Sequence, residues 1–261
     1  MWRRLHEALR RRRERAALKR KPIPDPLWRR TLKRFAFLPR EGSADEVELR
    51  RLCSLFLDRK EFTGARGLAV TDDMAVAIAA QACLPVLRIG LQAYDGFVGI
   101  VVHPGQAVAH REDMDDNGVM HEYDEVLAGE AVQGGPVMLS WRDVRAAGAS
   151  ADAGYNVVIH EFAHVLDMAG GPADGVPPLP PQINVQQWQE TLRGEYEAFC
   201  ARVNAQEDTA LDPYAAEAPT EFFAVASEAF FVAPLALMHD HPVFYALLVR
   251  FYGQDPAATA G

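Results

Sequence analysis

The segment His160-Glu161-Phe162-Ala163-His164 sets the tightest limit on what this chain can fold into. Two histidines four apart share a face when the backbone is helical, and both imidazoles can then reach one metal ion. The glutamate beside the first histidine is aimed at the open coordination position, where a water can be activated. Val157, Val158, Phe162, Val165, Leu166 and Met168 surround the pattern with apolar side chains, as in a buried helix. Ser150, Asp152 and Gly154 offer helix-start chemistry and Gly170-Gly171-Pro172 a stop, so the pattern predicts a helix of about four turns. His121-Glu122-Tyr123-Asp124-Glu125 begins in the same way but lacks the second histidine. It follows Asp115, Asp116, Asn117 and Gly118 and reads as a solvated loop, with no chemistry assigned to it.

At 261 residues and 49% apolar content, the chain can bury a substantial core. No apolar run approaches the roughly 18–20 residues that span a membrane, and the start has no apolar stretch that would make a secretory signal. Three cysteines, Cys53, Cys83 and Cys200, lie far apart and predict reduced thiols in a cytoplasmic protein. Residues 1–40 carry 15 Lys and Arg against 3 Asp and Glu, in a chain whose net charge is −9. The expected organisation is a basic segment over residues 1–26, helical or flexible, a folded body over 27–255 and a tail over 256–261. The basic segment reads as an amphipathic helix that folds back on the acidic body or stays solvated. Its apolar stripe is thin and no aromatic recognition motif follows, so nucleic acid is not an expected partner.

Along the body, helices are predicted over Glu46–Asp58, from a Thr71-Asp72-Asp73 cap to about Cys83, and over Gln186–Val203, Thr220–Val232 and Val243–Tyr252. Strands are predicted over Phe97–Val102, Leu127–Val132 and Pro136–Trp141, the last leading towards the HExxH helix. An edge strand beside the cleft would hold an extended peptide by backbone pairing.

A catalytic zinc commonly has three protein ligands and one water. A third histidine in the metzincin pattern would need Gly at 167 and His at 170, where this chain has Asp167 and Gly170. The remaining option is a carboxylate from a second helix, with Glu217, Glu221 and Glu228 as candidates. Glu221 and Glu228 are seven apart and share a face of a helix otherwise rich in Phe, Ala and Val, where an unpaired carboxylate would be costly. Glu217 precedes Pro219 and falls in a loop. Glu221, in the first turn, could equally serve to complement the helix N-terminus.

Several separate motifs carry a family resemblance. They include Leu84-Pro85-Val86-Leu87, Tyr94-Asp95-Gly96-Phe97, Gln133-Gly134-Gly135-Pro136-Val137 and Ser140-Trp141. They continue with Asn156 through Asp167, Asp174-Gly175-Val176-Pro177, Tyr214-Ala215-Ala216 and Glu221 through Phe231. Over roughly residues 35–255 the chain resembles the Mlc titration factor A family, the glucose-regulated zinc metallopeptidases of bacteria. The resemblance implies an α+β fold: a mainly helical, zincin-like domain of the gluzincin type, with a small mixed sheet beside the HExxH helix. The family in turn resembles the catalytic domain of anthrax lethal factor. It implies one Zn2+ held by His160, His164 and Glu221, with Glu161 as general base and Tyr214 as an active-site tyrosine. Asp167 and Glu228 become candidates for orienting the histidines. The implied activity is peptide hydrolysis of an aminopeptidase type, linked to regulation of sugar uptake. The alternative is a non-catalytic binding protein that sequesters a transcriptional repressor of the Mlc type.

Overall fold

A computed structural model describes residues 12–114, 120–151 and 154–259. Ten α-helices and six strands follow in chain order: α1 (described over residues 12–20), α2 (Asp25–Arg34), α3 (Ala44–Arg59), β1 (Glu61–Gly64), α4 (Asp72–Cys83), β2 (Gly99–His103), β3 (Ala107–Met114), β4 (Met120–Leu127), β5 (Gly129–Ala131), β6 (Val137–Ser140), α5 (Trp141–Ser150), α6 (Val157–Asp167), α7 (Val185–Asn204), α8 (Pro219–Val232), α9 (Pro234–Asp240) and α10 (Pro242–Tyr252). The architecture is mostly helical, with a small mixed four-stranded sheet of order β1-β2-β6-β5. β1, β2 and β6 run parallel, and β5 joins β6 antiparallel at the edge. Among the described residues, no helix is long and apolar enough to cross a membrane.

The caps explain where the helices start. Thr71 caps α4, its hydroxyl accepting from the Met74 amide as the sequence predicts, and Ser43 does the same for α3 through Glu46. The HExxH helix starts later than expected. Its N-cap is Asn156, whose side-chain oxygen accepts from Ile159 N at 3.0 Å. Ser150 instead ends α5, a helix with no counterpart among the predicted elements, and α6 runs for 11 residues before a 3-10 turn over Met168–Gly170. The strand predicted over Pro136–Trp141 stops at Ser140, because that hydroxyl turns to cap α5 at the Asp143 amide. The expected loop at residues 121–125 is also corrected. Met120–Leu127 pairs antiparallel with β3 as a two-stranded ribbon, and residues 115–119 lie outside the described set.

α6 is anchored from behind. Phe162 projects opposite the two histidines and packs against Phe56, Tyr94 and Phe97, with ring centroids 5.7, 4.9 and 5.8 Å away. In front, α6 packs on α8, which is buried continuously from Phe222 to Phe231. Trp188 of α7 and Phe251 of α10 close over the far side of α8 at Phe223. A helix apolar all round requires such a sheath. The described part of α1 lies along α3, with Ala17 buried and Arg20 paired to Asp58 at 2.7 Å. Residues 1–11 of the predicted basic helix fall outside the described set.

Tyr94 is fully buried, and its hydroxyl donates to the Ala82 carbonyl at 2.9 Å. Burial holds its phenol well above the ordinary value of 10. The folded state therefore keeps a proton that the unfolded chain releases near pH 10, so the associated stability is complete below that pH and lost above it. Tyr94→Phe should lower stability by about 1 kcal/mol at pH 7. It should also flatten the loss between pH 10 and 11, read from urea unfolding at each pH.

Candidate metal centre

The two histidines of α6 and Glu221 from the first turn of α8 converge. His160 Nε2 lies 3.1 Å from His164 Nε2, and Glu221 Oε2 lies 3.2 and 3.3 Å from the two nitrogens. Among the described residues these three form the one cluster of potential metal-ligand atoms. The triangle fits a metal ion. Ligands at about 2.0 Å around a tetrahedral cation are separated by about 3.3 Å. Glu221 Oε2 is buried with no hydrogen-bond donor aligned on it. Two imidazole nitrogens and a carboxylate oxygen facing one another at this range suit a cation between them.

The other ring nitrogens fix the tautomers. His160 Nδ1 donates to Glu228 Oε1 at 2.7 Å, leaving Nε2 with its lone pair towards the centre. His164 Nδ1 faces the Thr220 hydroxyl at 3.2 Å, and Thr220 donates onward to Asp167 Oδ2 at 3.0 Å. Glu228 thus orients one histidine directly, and Asp167 the other through Thr220. Glu228 also accepts from the backbone N–H of Asn156, and the Asn156 side chain donates to Gln81 at 2.9 Å. Glu217 is exposed beyond the 3-10 turn Pro213–Ala216 and is not part of the triangle. Thr220, Asn156 and Gln81 escaped the sequence reading. Thr220 had only its place beside Glu221 to suggest it, and Gln81 had no local signal.

The electrostatics suit a ligand set and a base. Burial alone would raise Glu221, but the pull of the adjacent His160 and His164 rings outweighs it and brings the carboxyl down to about 2. It is therefore ionised throughout the neutral range. For His160, burial favours the neutral ring, while Glu228 and Glu221 overcome it and raise the imidazole well above its ordinary range. A proton and a metal ion thus compete for Nε2. Glu161 is buried and points beside the triangle. Burial pushes its carboxyl up to about 7, against the pull of His160 and His164. β5 presses directly on this side chain, since a Cβ added at Gly129 would stand 2.5 Å from Glu161 Oε1. Tyr214 sits in the 3-10 turn, capped by Asp212, with its ring 6.2 Å from that of His160 and 40% exposed. The Tyr196 hydroxyl ties this turn to α7 through Ala216 O at 2.9 Å.

Comparison with known proteins places the chain. Residues 8–253 match the family described as glucose-regulated metallo-peptidase M90. The chain belongs to that family. The Mlc titration factor A of Serratia proteamaculans is 38% identical over 228 residues, covering 85% of this chain and 86% of that protein. The protein of the same name from Edwardsiella ictaluri is 40% identical over 219 residues, 82% of each chain. That from Pectobacterium atrosepticum is 37% identical, covering 82% of this chain and 81% of its own. The family resemblance carried by the motifs is therefore correct, and a metallopeptidase-type role with a metal cofactor comes with it.

Glu228→Gln should weaken metal affinity by about 10–100-fold, because the amide no longer accepts as a carboxylate from His160. Competition against a chromogenic chelator reads this directly. Glu217→Gln should leave affinity within about twofold, as an exposed surface change removed from the triangle.

Proposed function

We propose that this protein is a zinc-dependent peptidase of the zincin, gluzincin-type class. His160, His164 and Glu221 would hold the metal, and Glu161 would act as general base. The observation that carries the reading is the ligand triangle with a buried carboxylate of near-neutral pKa beside it. Zinc held there would serve as a Lewis acid and bring the pKa of a bound water towards neutrality. Glu161 takes the proton of the attacking water and delivers it to the leaving amine, a task suited to a carboxyl near 7. A cation at the triangle would draw that value lower, favouring the basic form. The Tyr214 phenol, partly exposed with its ring 6.2 Å from that of His160, would donate to the oxyanion that develops on the substrate. β5 is an edge strand packed on α6, so its outer edge offers backbone groups to an extended peptide. Aminopeptidase-type cleavage of small peptides is our reading of the activity, and regulation of sugar uptake that of its purpose. Three free thiols suit a cytoplasmic site of action.

A second reading follows from the relatives' shared name. The chain would sequester a transcriptional repressor of the Mlc type, with or without hydrolysis.

Glu161→Gln should retain stoichiometric metal by elemental analysis while peptide hydrolysis falls by about 10²–10⁴-fold. Retained turnover would remove Glu161 from the role of base. The same variant separates the second reading: repressor captured equally by wild type and Glu161→Gln points to sequestration independent of catalysis. Gly129→Ala should also keep the metal yet lower kcat, because its Cβ displaces the Glu161 carboxylate.

A further inference from the structure

An open cavity of about 370 Å³ adjoins the candidate metal centre, its wall on α6 beginning at Val165, one turn beyond Glu161. Glu161, Val165 and Met168 are spaced i, i+4 and i+7, so the base and two cavity-lining residues share one flank of the helix. β5 lies over that flank. Gly129 abuts Glu161, and the chain continuing from β5 supplies Val132 and Gln133 to the cavity wall. Gln133 Nε2 donates to Gly171 O at 3.0 Å, tying that wall to the end of the α6 segment. Phe97 and Phe251 are buried among the lining residues, whereas Val132 is 44% exposed. Among the described residues, no charged side chain lines the cavity.

We infer that this cavity receives a bulky aliphatic or aromatic side chain of a peptide substrate, within about three residues of the cleaved bond. The inference rests on the peptidase reading above and adds a specificity to it. Its reach follows from geometry. Val165 and Met168 stand about 6 and 10 Å along the helix from Glu161, and an extended chain advances about 3.3 Å per residue. A peptide paired to the outer edge of β5 therefore arrives at the cavity two or three residues from the base. The volume sits at the lower end for ligand pockets, suited to one large side chain and uncharged throughout. A charged side chain entering it would lose hydration without gaining a partner.

The test uses a peptide library with wild type and two cavity-filling variants, Ala169→Trp and Ala93→Trp. Ala169 is exposed at the end of the α6 segment, and Ala93 lines another wall, so a fold lost in one leaves the other. Melting temperatures identify which variants are folded. Wild type should prefer Leu or Phe over Gly by at least about tenfold in kcat/KM at one position near the cleaved bond. A folded filling variant should reduce that ratio to about threefold or less. Cleavage without such a preference, or an unchanged preference in a folded filled variant, overturns the inference and leaves the peptidase reading intact. Calorimetry of the Glu161→Gln protein, alone and combined with Ala169→Trp, supplies a readout free of turnover. Gly-Gly-Phe-Gly-Gly should bind at least about tenfold more tightly than pentaglycine, and the added Trp should abolish the difference. If wild type cleaves nothing and this difference holds, the cavity stands while the peptidase reading falls. Equal binding of the two peptides removes the cavity.

Discussion

The hydrogen bond between His160 Nδ1 and the Glu228 carboxylate, 2.7 Å long and buried between α6 and α8, is the contact on which the centre depends. It joins the two helices that carry the candidate ligands. The same carboxylate accepts from the Asn156 N–H, so it grips α6 at His160 and at its N-cap together. Asn156 then spends its own side chain on Ile159 N and Gln81, extending the tie to α4. Breaking a buried charged pair by removing one partner costs about 3–5 kcal/mol, because the survivor is left uncompensated. The ligand geometry and the helix packing therefore stand or fall together.

The apolar surroundings give these few polar contacts their strength. α8 is buried from Phe222 to Phe231, and Phe162 fixes the back of α6 in an aromatic cluster. Low polarity raises the Glu161 carboxyl to about 7, while the histidines hold Glu221 at about 2. One environment thus separates two glutamates into a carboxyl that titrates near neutrality and one that is ionised throughout the neutral range. The difference comes from their neighbours: Glu221 meets both imidazoles at 3.2–3.3 Å, whereas Glu161 is packed beneath the backbone of Gly129.

Local signals in the chain are legible where they are strong. The Thr71 cap, the apolar periods of α3, α7 and α10, and the buried character of α8 are written in residue order. They fail where two signals compete. Ser150, Asp152 and Gly154 offer a start for the HExxH helix, but Asn156 supplies the cap, its side chain accepting from Ile159 N and its own amide held by Glu228 of α8. The acidic run before His121 suggested a solvated loop. Cross-strand pairing of β3 with β4 overrides that composition, an interaction that no local window contains.

The sequence by itself determined the chemistry of the centre. HExxH in an apolar helix fixes two imidazoles and a carboxylate by helical period alone, and the Glu221–Glu228 spacing places two further carboxylates on one face. Tertiary structure alone decided how these carboxylates divide their work. Both lie on the same side of α8, but the crossing of α8 over α6 brings Glu221 to the two Nε2 atoms and Glu228 to His160 Nδ1. It also decided that β5 is the edge strand lying against Glu161 and that an apolar cavity opens beside it. Helical period orders residues along one element. Which atoms meet across two elements depends on their packing, and that is set by the buried surface of the whole domain.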